Sequence, residues 1–203
     1  MSARDHIRSL FRRSVATKQA TMDACLPAME SIALLFIHAL KNGHKLIFCG
    51  NGGSAADAQH LAAELLVRLR PSVNRAPIPA IALAMDTSTL TACGNDYHFH
   101  DIYARAVSAL GQRGDVLVGI TTSGKSPNIL RAFEVARKQG LQNVGFLGCA
   151  GGPALALCEL ALVIPSDETG RIQETHITAG HAILEVVEDA LMGKITFCQE
   201  SLT

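Results

Sequence analysis

Five short apolar runs alternate with helical patterns along the chain. The runs lie at residues 45–49, 79–84, 115–120, 143–147 and 160–164. The residues between consecutive runs leave room for a crossover helix, and such alternation is typical of a parallel sheet covered by helices on both faces. The sequence therefore predicts an α/β fold in which a doubly wound, five-stranded parallel sheet lies between two layers of helices.

Helical patterns also precede and follow these runs. Two extra N-terminal helices are predicted at about 3–24 and 27–42, separated at Leu26-Pro27 because proline favours the first turn of a helix. Residues 1–44 thus form a helical pair outside the alternating core, and its apolar faces are available to a partner subunit. A long last helix is predicted at about 169–193, with apolar residues on more than one side.

Length, charge and cysteine content exclude several classes of protein. We expect a single domain over residues 1–203. Lys+Arg and Asp+Glu are both 18, so no net field attracts nucleic acid or an anionic membrane. Six cysteines without a C-x-x-C pair predict neither a cysteine zinc site nor a disulfide framework, which favours the cytoplasm. We find no secretion signal and no apolar run of the roughly 20 residues that a membrane span needs.

A glycine-rich loop follows the first apolar run. Gly50-Asn51-Gly52-Gly53-Ser54 joins a predicted strand to a helical pattern. Glycines let the backbone approach a ligand closely, and a helix N-terminus supplies unpaired N–H groups. The spacing differs from a Walker A loop and from the dinucleotide-binding fingerprint, so the loop favours a phosphate or a sugar hydroxyl over a nucleotide.

A second polar loop follows the third apolar run and precedes a helix that starts near Pro127. Its hydroxyls can donate to one phosphate monoester together with backbone amides. Ligands of open α/β sheets bind outside the carboxyl ends of the strands, so both loops are predicted to bind one phosphorylated ligand. The hydroxyl-bearing residues are Thr121, Thr122, Ser123 and Ser126.

Ionisable residues on two helices are candidates for acid–base or metal chemistry. His60 and Glu64 are four residues apart on the helix after the glycine loop, so they project from one face. Gln173, His176 and His181 lie on the last helix. Gln173 and His181 are separated by about 12 Å of helix rise, so they reach one ion or substrate only if their side chains lean together. Sequence alone does not separate His176 from His181.

Asn95-Asp96 is predicted as a polar turn after the second strand, either facing the ligand or forming an ordinary Asx turn. His98 and His100 have no assigned role.

Taken in order, these motifs resemble the phosphoheptose isomerase group of sugar isomerase (SIS) domain proteins. The likeness runs over essentially the whole chain. It rests on the glycine loop, the His60/Glu64 helix, Gly94-Asn95-Asp96, Thr122-Ser123-Gly124, and Arg171-Ile172-Gln173-Glu174 with His176 and His181.

The resemblance implies an SIS-type αβα sandwich and an aldose–ketose isomerase. The implied reaction converts sedoheptulose 7-phosphate to D-glycero-D-manno-heptose 7-phosphate, in the synthesis of bacterial lipopolysaccharide heptose, through an enediol. Glu64 matches the catalytic base of the family and His181 the catalytic acid. The implied substrate-binding residues are Asn51, Gly52, Gly53, Ser54, Asn95, Asp96, Thr121, Thr122, Ser123, Ser126 and Gln173.

Some members of the family resemble zinc enzymes, and this likeness implies zinc ligands here at His60, Glu64, Gln173 and His181. Glu64 is then either the base or a ligand, and the two roles compete. The family also implies a homotetramer with sites at subunit interfaces.

Three positions depart from the family pattern: Thr121 replaces a common serine, Lys125 replaces a common asparagine, and Gly170 replaces an aspartate of some members. The competing interpretation is a non-catalytic SIS regulator resembling DiaA, which binds the replication initiator DnaA. Such regulators lack the acid–base pair, whereas Glu64 and His181 are both present here.

Overall fold

The computed structural model describes residues 1–195, so Cys198 and the end of the predicted domain lie outside the described residues. This part of the chain forms six α-helices and five strands. The helices are α1 (Ala3–Lys41), α2 (Gly53–Leu66), α3 (Thr87–Asp96), α4 (Ile102–Leu110), α5 (Pro127–Gln139) and α6 (Thr169–Leu191). The strands are β1 (Leu46–Gly50), β2 (Ala80–Ala82), β3 (Val116–Thr121), β4 (Gln142–Gly148) and β5 (Leu160–Ile164). Short 3₁₀ helices cover Phe99–Asp101 and Gly152–Leu157.

The five strands form one parallel sheet in the order β2-β1-β3-β4-β5. Phe48 of β1 lies opposite Ala82 of β2 on one side and Val118 of β3 on the other. The chain moves outward from β1 in one direction to β2 and in the other direction through β3 to β5. The strand order therefore reverses between β1 and β3, and ligands of doubly wound sheets bind at such a switch point.

Two hydrophobic clusters cover the two faces of the sheet, which confirms the predicted doubly wound sandwich. One cluster joins the sheet to α1, α2 and α6, with Phe36, Leu61 and Ile183 as members. The other joins it to α4 and α5, with Phe133 as a member. Because β3 is buried along its whole length, its sequence is an unbroken apolar run rather than an alternating one.

The predicted break in the N-terminal helical pair is wrong. α1 is one helix of 39 residues, with Pro27 inside it. Proline removes a helical hydrogen bond and disfavours a helix interior. Tertiary packing outweighs this cost, because buried residues lie on both sides of the proline: Cys25 bonds to the carbonyl of Val163 in β5 (3.4 Å), while Ile32 and Phe36 enter the core.

The expectation that the chain has no apolar run long enough for a membrane span is also corrected. An 18-residue window of α1 has a mean hydropathy of 1.5, with 33% of its residues buried. By length and composition alone, this helix is apolar enough to cross a membrane. Core helices of soluble proteins can have the same length and composition. In the fold, the C-terminal half of α1 packs against α6 and β5.

Candidate active site

Both predicted ligand loops lie at the switch point, because β1 and β3 are adjacent parallel strands. Asn51 in the glycine loop and Asn128 in the first turn of α5 bond to each other through both side-chain amides, at 2.9 and 2.7 Å. Asn128 is buried. This pair joins the two loops and engages the side-chain amide of Asn51, which the resemblance implies for substrate binding. Sequence reasoning missed Asn128, since its partner lies 77 residues away.

The second polar loop (residues 121–126, called the hydroxyl loop below) follows β3 and places its polar groups around the start of α5. Thr121 and Ser126 share a hydrogen bond of 3.0 Å between their hydroxyls, and the hydroxyl of Ser123 accepts one from the amide of Lys125 at 3.2 Å. Thr121 is buried, whereas Ser123 and Lys125 are exposed. With Pro127 at the helix start, the loop presents hydroxyls and a lysine beside the N-terminus of α5, an arrangement that favours an anion.

The loop that follows β4 packs against the hydroxyl loop. A methyl group at Gly124 would lie 1.9 Å from the carbonyl oxygen of Gly151, so the backbones of the two loops touch. The amide of Ala154 also donates to the carbonyl of Gly124 at 3.1 Å. Sequence reasoning missed this support, although the glycines at 148, 151 and 152 after the fourth strand were a signal for it.

His60, Glu64 and His181 converge in one cluster. Nε2 of His60 lies 2.8 Å from Nε2 of His181 and 3.4 Å from a carboxylate oxygen of Glu64. One potential ligand atom from each residue lies within 4.8 Å of the others. The side chain of Glu64 is 16% exposed and that of His60 is 46% exposed, so the cluster opens to solvent from its His60 side. Two imidazoles and a carboxylate in this arrangement can exchange protons or ligate a divalent metal.

A glycine on α6 allows the two histidines to meet. A methyl group at Gly180 would lie 2.8 Å from a methyl carbon of Leu61 on α2. The close approach of α2 and α6 at this contact brings His60, one residue before Leu61, next to His181, one residue after Gly180.

Gln173, the fourth predicted metal ligand, lies against the glycine loop. A methyl group at Gly53 would be 2.7 Å from the side-chain nitrogen of Gln173. The side chain of Gln173, on α6, thus lies beside the first residue of α2, whereas His60 and Glu64 lie farther along α2. The structure places Gln173 at the predicted substrate loop, and its role stays a prediction.

The predicted polar turn at Asn95-Asp96 is wrong, because these residues end α3. Both are exposed, and their side chains bond to each other at 2.8 Å. His98 and His100 follow on the surface and stack on each other with ring centroids 4.8 Å apart. Within residues 1–195, no hydrogen bond joins any of the four to the two ligand loops or to the histidine cluster.

Asp57, one turn before His60 on α2, was not singled out by sequence reasoning. One of its carboxylate oxygens is buried and has no hydrogen-bond partner within residues 1–195. Burial raises the pKa of Asp57 above its ordinary value, and the nearby His60 opposes that shift.

His176 is separated from His181 by burial. It is fully buried, packs beside Phe146 and donates from Nε2 to the carbonyl of Leu147 at 2.9 Å. Burial lowers the pKa of His176 to about 4, although the hydrogen bond to Leu147 acts in the opposite direction. His176 is therefore a neutral packing residue, and His181 is the histidine of the cluster.

The fold should lose stability in acid because of His176. Its folded pKa lies below the unfolded value of about 6.5, so the stability it contributes is complete above pH 6.5 and falls as the pH drops towards 4. We expect this residue to account for a loss of about 2 kcal/mol in unfolding free energy between pH 7 and pH 5. Urea unfolding of wild type and His176→Gln at both pH values measures it. The same loss in both proteins would contradict the assignment.

Comparison with known proteins shows which family the chain belongs to. The SIS domain family matches residues 10–148. A phosphoheptose isomerase from Nitratiruptor sp. is 52% identical over 158 residues, which are 78% of this chain and 83% of the relative. Another from Rhodospirillum rubrum is 48% identical over 187 residues, which are 92% of this chain and 98% of the relative.

A solved structure also shares the fold over nearly the full length. The structure of a phosphoheptose isomerase from Francisella tularensis matches with a TM-score of 0.89 and 38% identity, covering 93% of this chain and 100% of that chain. Matches of this identity and coverage go beyond a shared fold. The chain belongs to the SIS domain family and, within it, to the phosphoheptose isomerases.

Proposed function

We propose that the protein is an aldose–ketose isomerase that converts sedoheptulose 7-phosphate to D-glycero-D-manno-heptose 7-phosphate for bacterial heptose synthesis. The observation that carries this proposal is the convergence of Glu64 and His181. They meet on α2 and α6, and α2 begins at a ligand loop of the switch point. Relatives named phosphoheptose isomerase support the substrate class. The competing DnaA-binding regulator gains no support, because Glu64 and His181 lie together and the matching relatives are named phosphoheptose isomerases.

Isomerisation moves a carbonyl from C2 to C1 of the sugar. In the proposed reaction, the Glu64 carboxylate takes a proton from C1, and the released electron pair forms the C1–C2 double bond. The imidazolium of His181 gives a proton to the oxygen on C2, which completes the enediol. Neutral His181 then takes the proton from the oxygen on C1, and Glu64 returns its proton to C2, which leaves the aldose. Atoms and charges balance without a redox partner.

The two loops supply binding rather than proton transfer in this mechanism. Ser123, Ser126 and the start of α5 form the proposed phosphate site, and Lys125 adds a positive charge there. Gly53 and Ser54 begin α2, and Gln173 of α6 lies beside them. These three residues are the proposed partners of the sugar hydroxyls. Holding the phosphate fixes C1 and C2 relative to Glu64, which contributes to the rate through orientation.

A coupled assay tests the reaction. Purified protein is mixed with sedoheptulose 7-phosphate, and the aldose product is followed with and without a metal chelator. We expect turnover of this substrate and slower turnover of fructose 6-phosphate, which is one carbon shorter. Lack of turnover under both metal conditions would reject the proposed reaction.

Zinc is proposed as a cofactor because the donor set fits it. His60, Glu64 and His181 offer two nitrogens and one oxygen within 4.8 Å of one another, and catalytic zinc sites use such ligands. Gln173 is the proposed fourth ligand, on the resemblance alone. When bound, zinc would polarise the substrate carbonyl as a Lewis acid. With zinc bound, the proposed roles of Glu64 as ligand and as base would compete for the same carboxylate.

Replacing His60 by alanine tests the zinc proposal. We expect His60→Ala to lower both the bound zinc and kcat, and we expect added zinc to restore part of the rate by mass action. Elemental analysis and a zinc titration of the rate measure both. His38→Ala, which removes an exposed histidine of α1, should change neither. Active wild-type protein without metal, and insensitive to chelator, would contradict the proposal and leave His60 a substrate-positioning residue.

A homotetramer is proposed on the resemblance to the family, and an uncovered apolar stripe on α1 supports contact with another copy of the chain. Ile7, Phe11, Val15, Met22 and Leu26 recur at helical spacing and are 47–71% exposed. The stripe continues into a groove of about 450 Å³ between α1 and α6. An apolar surface of this extent on a helix fits a second copy of the chain.

Disrupting this stripe should dissociate the protein. We expect the double variant Phe11→Asp, Val15→Asp to be monomeric and to lose most activity, because the proposed sites lie at subunit interfaces. Light scattering paired with rate measurements tests this, with Arg12→Glu, outside the stripe, as the control that stays assembled. A monomeric wild type, or a fully active monomeric variant, would refute it.

The cytoplasm is the proposed location. All five cysteines of the described part are free thiols, as the reducing cytoplasm favours.

A further inference from the structure

A buried ion pair lies beside the end of helix α2, away from the cluster that bears the chemistry. Nε of Arg75 donates to a carboxylate oxygen of Glu188 at 2.6 Å. The side chains are 6% and 2% exposed. A buried ion pair is retained at a desolvation cost, so its remaining contacts indicate what it does for the molecule.

The other nitrogens of Arg75 reach the backbone of the residue that we propose as the base. Nη2 donates to the carbonyl oxygen of Glu64 at 2.7 Å, and Nη1 donates to that of Leu65 at 2.9 Å. A third bond, from Nη1 to the carbonyl of Ala76 at 3.0 Å, fixes the segment that carries the arginine. The last carbonyls of a helix have no partner within it, and here one guanidinium caps two of them.

Glu188 lies on the same helix as His181 and seven residues after it, which places both on one face of α6. α6 therefore reaches α2 twice. His181 meets His60 directly, and two turns farther on Glu188 meets the carbonyl of Glu64 through Arg75. The second link sets the position of the last turn of α2, from which the Glu64 side chain projects.

We propose that Arg75 and Glu188 are positioning residues that hold Glu64 at the geometry needed for proton transfer. This inference rests on the proposed function, since it assigns Glu64 the base role. The planar fork of arginine can bond to a carboxylate and to two carbonyls at once. The single ammonium of lysine cannot span the same three acceptors.

Arg70 provides a matched control within the same network. Its Nε and Nη2 donate to the other carboxylate oxygen of Glu188 at 2.9 and 2.7 Å, and it also pairs with Asp189. Within residues 1–195, Arg70 makes no hydrogen bond to a carbonyl of α2. Substitution of Arg70 thus disturbs the same buried carboxylate while the cap on Glu64 remains.

The test compares Arg75→Lys with Arg70→Lys, both of which keep a positive charge beside Glu188. Misplacement of a catalytic group by about 1 Å can cost on the order of 10²-fold in rate. We therefore expect kcat of Arg75→Lys to fall by about 10- to 100-fold with KM within about threefold of wild type. Arg70→Lys should keep kcat within about twofold of wild type, even if its melting temperature falls by as much as that of Arg75→Lys.

Hydrogen exchange supplies a readout that does not depend on turnover. Amides in the last turn of α2 should exchange faster in Arg75→Lys than in wild type, but not in Arg70→Lys. If wild type does not isomerise sugar phosphates, the proposed function fails, and the exchange data still decide whether Arg75 holds this turn.

Two results overturn the proposal: wild-type kcat in Arg75→Lys, or an equal loss of kcat in both variants at matched stability. If Arg75→Lys melts below the assay temperature, Glu188→Gln is tested in its place, with the same expected changes in kcat and KM. Glutamine keeps the shape of the side chain and removes the charge that holds Arg75.

Discussion

We expect replacement of Glu64 by glutamine to lower kcat by about 10²- to 10⁴-fold, the usual contribution of a general acid–base group. The amide keeps the size of the carboxylate but cannot accept the C1 proton. The Glu64 side chain is mostly buried beside His60, and its backbone carbonyl is bound by Arg75, so the variant keeps its fold. Steady-state rates at saturating sedoheptulose 7-phosphate measure the loss.

Two controls separate the base role of Glu64 from a ligand role. Glu134→Gln removes an exposed carboxylate of α5 outside the cluster and should leave kcat unchanged. Excess zinc should not restore Glu64→Gln if the carboxylate acts as the base, whereas it should restore part of the rate if the carboxylate mainly binds the ion. A rate near that of wild type in Glu64→Gln without added metal would reject both roles.

The features that sequence predicted well are those coded by neighbouring residues. Each strand is a short apolar run, and the glycine loop and hydroxyl loop follow their strands directly, so the topology of a parallel sheet was enough to bring both loops to one edge. The His60/Glu64 pair is likewise local, because four residues of helix place both side chains on one face.

The features that sequence missed depend on contacts between distant residues. Pro27 predicted a break in α1, and packing on β5 and α6 overrode it. Asn51 pairs with Asn128, and Arg75 reaches from Glu188 to Glu64, over separations that no local pattern encodes. His176 and His181 are alike in sequence, since only the packing of α6 decides which of them is buried.

The nature of the ligand was predicted in two stages. Hydroxyls and glycines at the strand ends indicate a phosphorylated ligand on chemical grounds alone. The heptose and the isomerisation follow from the resemblance to phosphoheptose isomerases, which the matches over most of the chain support.

The second large effect is expected from Gly124→Ala in the hydroxyl loop. Gly124 has a φ of +63°, which disfavours a side chain, and an added methyl group would lie 1.9 Å from the carbonyl oxygen of Gly151. Because the atoms that the methyl group would meet are backbone atoms of residues 151 and 152, no side chain can move aside, and the loop must shift by about 1 Å or more. The hydroxyls of Ser123 and Ser126 move with it, so we expect kcat/KM for the sugar phosphate to fall by about 10²-fold.

Gly43→Ala is the matched control, because it separates backbone strain from displacement of the loop. Gly43 has a φ of +80°, but a methyl group there meets no atom within 4 Å among the described residues, and it precedes β1 at the end of the sheet opposite the loops. Both variants should lose about 1 kcal/mol or more of stability from the left-handed backbone. Only Gly124→Ala should lose affinity for inorganic phosphate as a competitive inhibitor. An unchanged inhibition constant in Gly124→Ala would place the phosphate elsewhere than the loop between β3 and α5.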